Sequence, residues 1–295
     1  MSDIGGQAVI EGVMMKSGNA WTVAVRNSDK EIVFKKERAR ELPKFLKLPI
    51  LRGVIALIQA LSIGIRALLF SAEASGLDEE TPSSLSLALT VVFSFAVGIG
   101  LFLFLPLYTT KLMGALLASI NESSLVFNLV DGVIRVLIFL MYVVLISMNK
   151  DIKRVFQYHG AEHKVVHAFE AGVDLTPQNI DKHSPIHPRC GTSFLIMVML
   201  LSIMVFSLIP KEWAFIYKFL SRIALMPLIA GLSYEFIKFS SKKMNNPFVR
   251  MLSMPGLWLQ KLTTGVPSHD QIEVAVRALE EVLIMDGKRK NTDAG

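Results

Sequence analysis

Five of the six histidines of this 295-residue chain fall between His159 and His187, and three of them, His159, His163 and His167, stand four residues apart in the stretch YHGAEHKVVHAFEAG. An imidazole nitrogen can ligate a metal, accept a proton or pass one on, so this density at helical spacing points to coordination chemistry. On a helix from Asp151 to Ala171, closed by Gly172, the three rings lie at about 0°, 40° and 80° around the axis, with Glu170 near 20°. One ion cannot take all three, because His159 and His167 are separated by about 12 Å along the axis while Zn–N bonds are about 2 Å. The workable primary pair is therefore His159/His163 or His163/His167.

The run HGAEH has the order of the inverted zinc peptidases, in which two histidines one turn apart hold the ion and the Glu, here Glu162, activates water. A third ligand is expected from KHSPIHPRC, through His183, His187 or Cys190, or from Glu235 on a distant downstream helix. A site that used both histidine pairs and Cys190 would be closed and structural, with no position left for water. The bland reading is a polar helix face lying on lipid headgroups. Cys190 is the only cysteine, which excludes an internal disulfide and suits the reducing side of a membrane.

The elements that must position these residues are mostly apolar. With 52% hydrophobic residues and a mean hydropathy of +0.47, the chain reads as mainly α and polytopic. About four transmembrane spans are expected, plus an interfacial or re-entrant helix, a small N-terminal β-hairpin and a cytoplasmic His-rich helical connection. The opening MSDIGGQAVIEG lacks the cationic stretch and apolar run of a leader, so insertion should rely on internal spans. Residues 1–48 form a β-rich polar segment, with a hairpin in WTVAVRNSDKEIVFKKE around 27–30. Ahead of it, the glycines of GGQAVIEGVMM are read as tight turns.

In residues 49–74, Arg52, Gln59, Arg66 and Glu73 recur every seven positions along one helical stripe. The apolar run between the arginines is about 13 residues, short of the roughly 20 that a span needs. The first two spans occupy 84–148, with Asp131 and Arg135 expected as an interfacial ion pair. The last two occupy 191–239, with Lys218 and Arg222 snorkelling toward the outer headgroups. The connection at 149–190 carries Lys150, Lys153, Arg154, Lys164, Lys182 and Arg189, against Lys111 alone in the connection between the first two spans. The positive-inside rule then puts both termini and the histidines in the cytoplasm. The net charge of +6 is assigned to orientation in the bilayer, with no nucleic-acid partner. The segment 240–295 carries an amphipathic helix through Ile272, Val276, Leu279 and Leu283, opened by a Ser268/Gln271 capping box.

With GGQAVIEGVMM, RGVIALIQALSIGIRAL, YHGAEHKVVHAFE, HPRCGTSF and PGLWLQKLTT in this order, the chain resembles the YqhQ-like family of bacterial membrane proteins nearly end to end. The resemblance implies a multi-pass protein of the bacterial cytoplasmic membrane, in a family regarded as predicted metal-dependent enzymes of unknown function. His159, Glu162, His163, His167, His187 and Cys190 occupy its signature blocks. The functional expectation is a site for a divalent metal, zinc, serving hydrolysis at the membrane surface with Glu162 as general base. One rival is a non-catalytic scaffold or biogenesis factor that docks other membrane proteins. Another is a transporter using Arg52, Arg66, Asp131 and Glu235 as an intramembrane path.

Overall fold

The structure is a computed structural model that describes residues 4–39, 48–76, 83–210 and 212–288. Its N-terminal portion is an antiparallel meander of four strands, β1 (Ile4–Val9), β2 (Gly12–Ser17), β3 (Ala20–Arg26) and β4 (Ile32–Arg38), in spatial order β1-β2-β3-β4. The expected hairpin is β3–β4, with Arg26 opposite Ile32 and Lys30 in the left-handed region at φ 66°. The expected turns of GGQAVIEGVMM are instead β1 and β2. Gly6 and Gly12 serve close approach within the sheet, since a Cβ would collide with the Met14 and Ala24 carbonyls respectively, whereas Gly5 faces open space.

Ten α-helices follow among the described residues: α1 (Leu51–Ala74), α2 (Ser84–Ile99), α3 (Leu105–Leu116), α4 (Ser124–Ser147), α5 (Lys150–Glu170), α6 (Pro177–Asp181), α7 (Gly191–Phe206), α8 (Phe215–Lys242), α9 (Pro247–Thr263) and α10 (His269–Met285). A π-helical turn at Gly100–Phe104 joins α2 to α3 without a break. By length and composition, α1, the continuous 85–116 helix, α4 and α8 can each cross a bilayer, whereas α7 is a shorter apolar helix of 16 residues. The fold is thus mainly α and polytopic. Phe93, Leu137 and Tyr217 are exposed on the long helices, as expected of surfaces solvated by lipid.

Two cores share the work. In the polar unit, α5 and α10 cover one face of the sheet, burying Val13, Met15, Tyr158, Val165, Ile272 and Leu279 together. The expected capping box is present, with the Ser268 hydroxyl on the Gln271 amide and the Gln271 side chain on the Ser268 amide. The other face of the sheet packs Val9, Trp21 and Val23 on Ile63 and Ala67 of α1. The first half of α1 lies against α8, where Gly53 meets Gly231 and Tyr234 and where Arg52 pairs with Glu235.

In the apolar bundle, Asp131 and Arg135 pair as expected, between packed helices. Both are buried, and Asp131 also receives Arg222 Nη1 at 2.7 Å. Arg222, expected to snorkel outward, is 1% exposed and donates to Asn128 Oδ1 at 2.8 Å. The Asp131 carboxylate and the Asn128 amide oxygen on α4 give the guanidinium its partners inside the bundle.

Candidate metal centre

The cluster is built on α5, which forms where the sequence expects it. Asn149 caps its first turn by accepting from the Asp151 and Ile152 amides, and Gly172 at φ 69° ends it. Beyond α6 the chain brings Cys190 back to α5 as the N-cap of α7. His159, His163 and Cys190 then offer three ligand atoms within 4.8 Å of one another. Cys190 Sγ lies 3.2 Å from His159 Nε2, and the His159 and His163 ring centroids are 4.4 Å apart.

The tautomers follow from the partners. His159 Nδ1 sits 2.8 Å from the Thr263 carbonyl and His163 Nδ1 sits 2.5 Å from the Pro185 carbonyl. A carbonyl can only accept, so each Nδ1 carries the hydrogen, and in its neutral form each ring turns an Nε2 lone pair inward. A backbone carbonyl behind the ring is the usual device that orients a ligating histidine. Cys190 Sγ accepts from the Thr192 amide at 3.4 Å at the start of α7. Glu162 is buried, with Oε2 3.4 Å from His163 Nε2. Burial works to lower the His163 pKa, but the Glu162 carboxylate and Cys190 outweigh it and hold the ring above its ordinary value. The position between these groups thus favours positive charge.

Glycines that carry no chemistry set this geometry. Gly160 lies directly under the segment joining α9 to α10, where a Cβ would strike the Gly265 carbonyl. The Gly265 amide bonds the Phe156 carbonyl at 2.7 Å, which holds Thr263 over His159. On the other side a Cβ on Gly6 would come 2.9 Å from Glu162 Cγ, so β1 packs on the Glu162 side-chain stem where residue 6 has no side chain. Gln260 fixes the ligand-bearing loop, accepting from the His187 amide at 2.8 Å and donating to the His187 carbonyl at 2.9 Å. Sequence reasoning missed Gly6, Gly160, Gln260, Thr263 and Gly265. The glycines and Thr263 act through backbone geometry or a carbonyl, and Gln260 through a side-chain amide whose partner is the distant His187 backbone, none of which residue type advertises.

The remaining expected ligands are not in this group of three, although the His187 ring lies 5.7 Å from that of His163 and 4.5 Å from that of His167. His167 directs Nε2 at the Ile186 carbonyl at 2.9 Å, which fixes the opposite tautomer, and it stacks on His183 at 6.4 Å. His187 Nδ1 accepts from the Arg189 amide, so its Nε2 hydrogen faces Glu170, whose other oxygen pairs with Arg189. Burial, helped by His167, His163 and Arg189, pushes the His187 pKa down to about 3. Glu235 is not brought to the cluster. Its carboxylate is taken by Arg52, whose Nε donates at 2.6 Å.

Residues 48–285 match the family described as "Protein of unknown function (DUF1385)". The chain belongs to this family. It is 36% identical over 299 residues to the "Uncharacterized protein YqhQ" of Bacillus subtilis (strain 168), covering 96% of this chain and 92% of that protein. No solved structure matches. The DUF1385 region takes in every helix and all three converging ligands, whereas the sheet that seats Gly6 on Glu162 precedes it.

Proposed function

We propose that this membrane protein holds one divalent cation, zinc, on His159, His163 and Cys190, and that the site serves hydrolysis with Glu162 as general base. The observation that carries the proposal is the convergence of two bare Nε2 atoms and one sulfur, with both outer Nδ1 hydrogens pinned to carbonyls. Two imidazoles and a sulfur suit a borderline-soft ion such as zinc, and three protein ligands leave the fourth tetrahedral position open. A cation there would supply Lewis-acid polarisation of a water. Glu162, beside His163 Nε2, is placed to take that water's proton and return it to the leaving group.

The setting we propose is the bacterial cytoplasmic membrane, with the sheet, α5, α10 and both termini on the cytoplasmic side. The lysine and arginine excess of the α4–α7 connection supports that side. Parity supports the interfacial assignment of α1. The sheet before α1 shares a core with α5, so it lies on the side where α4 ends. If the 85–116 helix and α4 each cross once, α1 begins and ends on that same side. Its polar stripe then faces the sheet and α8, and Leu57, Ile58 and Leu61, which are exposed, face lipid.

A structural clamp is the second reading, favoured by the burial of Glu162, His163 and Cys190 and by the joining of α5, α7 and α9 at one point. In it Glu162 takes the fourth position, and the fixed polar unit docks other membrane proteins. Glu162→Gln separates the two readings: a base lost from an open site leaves stoichiometric zinc and no hydrolysis, whereas a ligand lost from a closed site releases the metal. Elemental analysis of the purified variant reads the difference.

A further inference from the structure

The two edges of the sheet are not alike. β4, on one side, carries Lys35, Lys36, Glu37 and Arg38, the charged protection that natural edge strands use against pairing. β1, on the other, is IGGQAV, with no charge and no proline, and Gly5 and Gly6 are both exposed. The hydrogen-bond parity of β1 follows from its neighbours. The Arg26 amide bonds the Glu11 carbonyl, so Glu11, Val13, Met15 and Ser17 pair with β3, which leaves Gly12, Met14 and Lys16 to pair with Val9, Gln7 and Gly5. The amides and carbonyls of Ile4, Gly6 and Ala8 therefore point away from the sheet. Among the described residues the Ile4 carbonyl meets Arg189 at 3.5 Å, and no backbone partner faces Gly6 or Ala8.

We propose that this edge is the substrate groove: an extended polypeptide pairs with Gly6 and Ala8 as a fifth strand and is presented to Glu162 for cleavage. Outward amide and carbonyl groups in strand register are matched in sequence, donor to acceptor, by another extended backbone. Gly6 places that strand beside the catalytic helix, because its missing side chain lets β1 rest on Glu162 Cγ. A second copy of this chain would satisfy the same groups, but it would cover the very edge that flanks the only converging ligand set among the described residues. The inference rests on the hydrolytic reading of that centre. Cleavage consumes one water, whose hydroxyl goes to the carbonyl carbon as the C–N bond breaks, and whose proton passes through Glu162 to the leaving amine nitrogen.

The test uses full-length protein in nanodiscs loaded with zinc. The probe is a labelled pool of unstructured decapeptides with Val, Ile or Thr at alternate positions. Binding is read by anisotropy on Glu162→Gln protein, cleavage on the wild type, and the Gly6 and Ala8 amides by hydrogen exchange. The informative variant is Ala8→Pro, which deletes an outward amide but no bond to β2, a place where an edge strand tolerates proline. We expect the pool to bind and to slow exchange at Gly6 and Ala8, and Ala8→Pro to weaken binding roughly tenfold. Binding and protection without cleavage would keep the groove and sink the hydrolase. Cleavage that Ala8→Pro leaves unchanged would keep the hydrolase and overturn the groove. Protection that appears without peptide and grows with protein concentration would assign the edge to a second copy and overturn the proposal.

Discussion

Two polar clusters among the described residues are built largely from buried groups, with His159 alone of the proposed ligands only partly buried. In the bundle, Asp131, Arg135 and Arg222 are at most 3% exposed; at the metal centre, His163 and Cys190 are 3% and 6% exposed. Their difference lies in where donors and acceptors point. The bundle cluster closes on itself: Asp131 takes both arginines, Arg135 Nη1 donates to Ser202 at 2.5 Å, and both guanidiniums lie 4.9 Å from the Phe206 ring. Only the two Nε groups are left over. At the metal centre the donors point outward to carbonyls and the acceptors point inward at one another. A cluster of the first kind binds helices together, while one of the second kind presents a cation site. Of the residues expected along a transport path, Asp131 pairs with two arginines and Glu235 with Arg52.

The comparison breaks most visibly at Asp131. Asp131→Ala strands two buried guanidiniums without a counter-charge, and the expected cost is about 3–5 kcal/mol. Thermal unfolding in detergent should register it, and an unchanged midpoint would mean that the bundle cluster does not hold the helices. Next in size is His163→Ala, which should abolish stoichiometric zinc, while His167→Ala should retain it because its Nε2 is already bound to the Ile186 carbonyl. Zinc lost equally from both would erase the distinction between the two histidine pairs.

A subtler test leaves every ligand in place. Gly160→Val pushes the Gly265 carbonyl off α5 and takes Thr263 away from His159. Zinc affinity should then fall about 10- to 100-fold, the usual loss when the group behind a ligand is removed. Competition with a chromogenic chelator would measure it, and wild-type affinity would show that the carbonyl does not orient the ring.

The smallest effect is in pH. His187 has its pKa pushed down to about 3, so protonation favours the unfolded chain. Its stabilisation is present above the ordinary imidazole value of about 6.5 and is lost as pH falls from there toward about 3. Glu170 acts in the same direction. Burial opposes its ionisation, but Arg189 and His187 hold its pKa below the ordinary value, so its contribution is also lost on acidification. Metal-free protein should therefore unfold more readily on mild acidification, and His187→Gln should blunt that dependence without touching Asp131. An identical acid profile in the variant would remove His187 from the account.

Much of this was legible in the residues alone, because it depends on neighbours in the chain. The four-residue spacing, the Asn149 cap and the Gly172 stop determine that α5 forms and that His159 and His163 share a face. Apolar length determines the long helices, and Ser268 with Gln271 determines the start of α10. The pairing of histidines was not legible, since helical spacing allows His163 either neighbour. Only the tertiary structure decides it, by setting the Thr263 and Pro185 carbonyls against Nδ1 of His159 and His163 and the Ile186 carbonyl against Nε2 of His167. The same holds for Cys190 as the converging third ligand, for Glu235 given up to Arg52, and for Arg222 turned inward to Asp131. A backbone carbonyl belongs to every residue alike, and a long charged side chain takes whichever counter-charge the packing brings within reach, so the determinant in each case is a distance across the fold that no local pattern encodes.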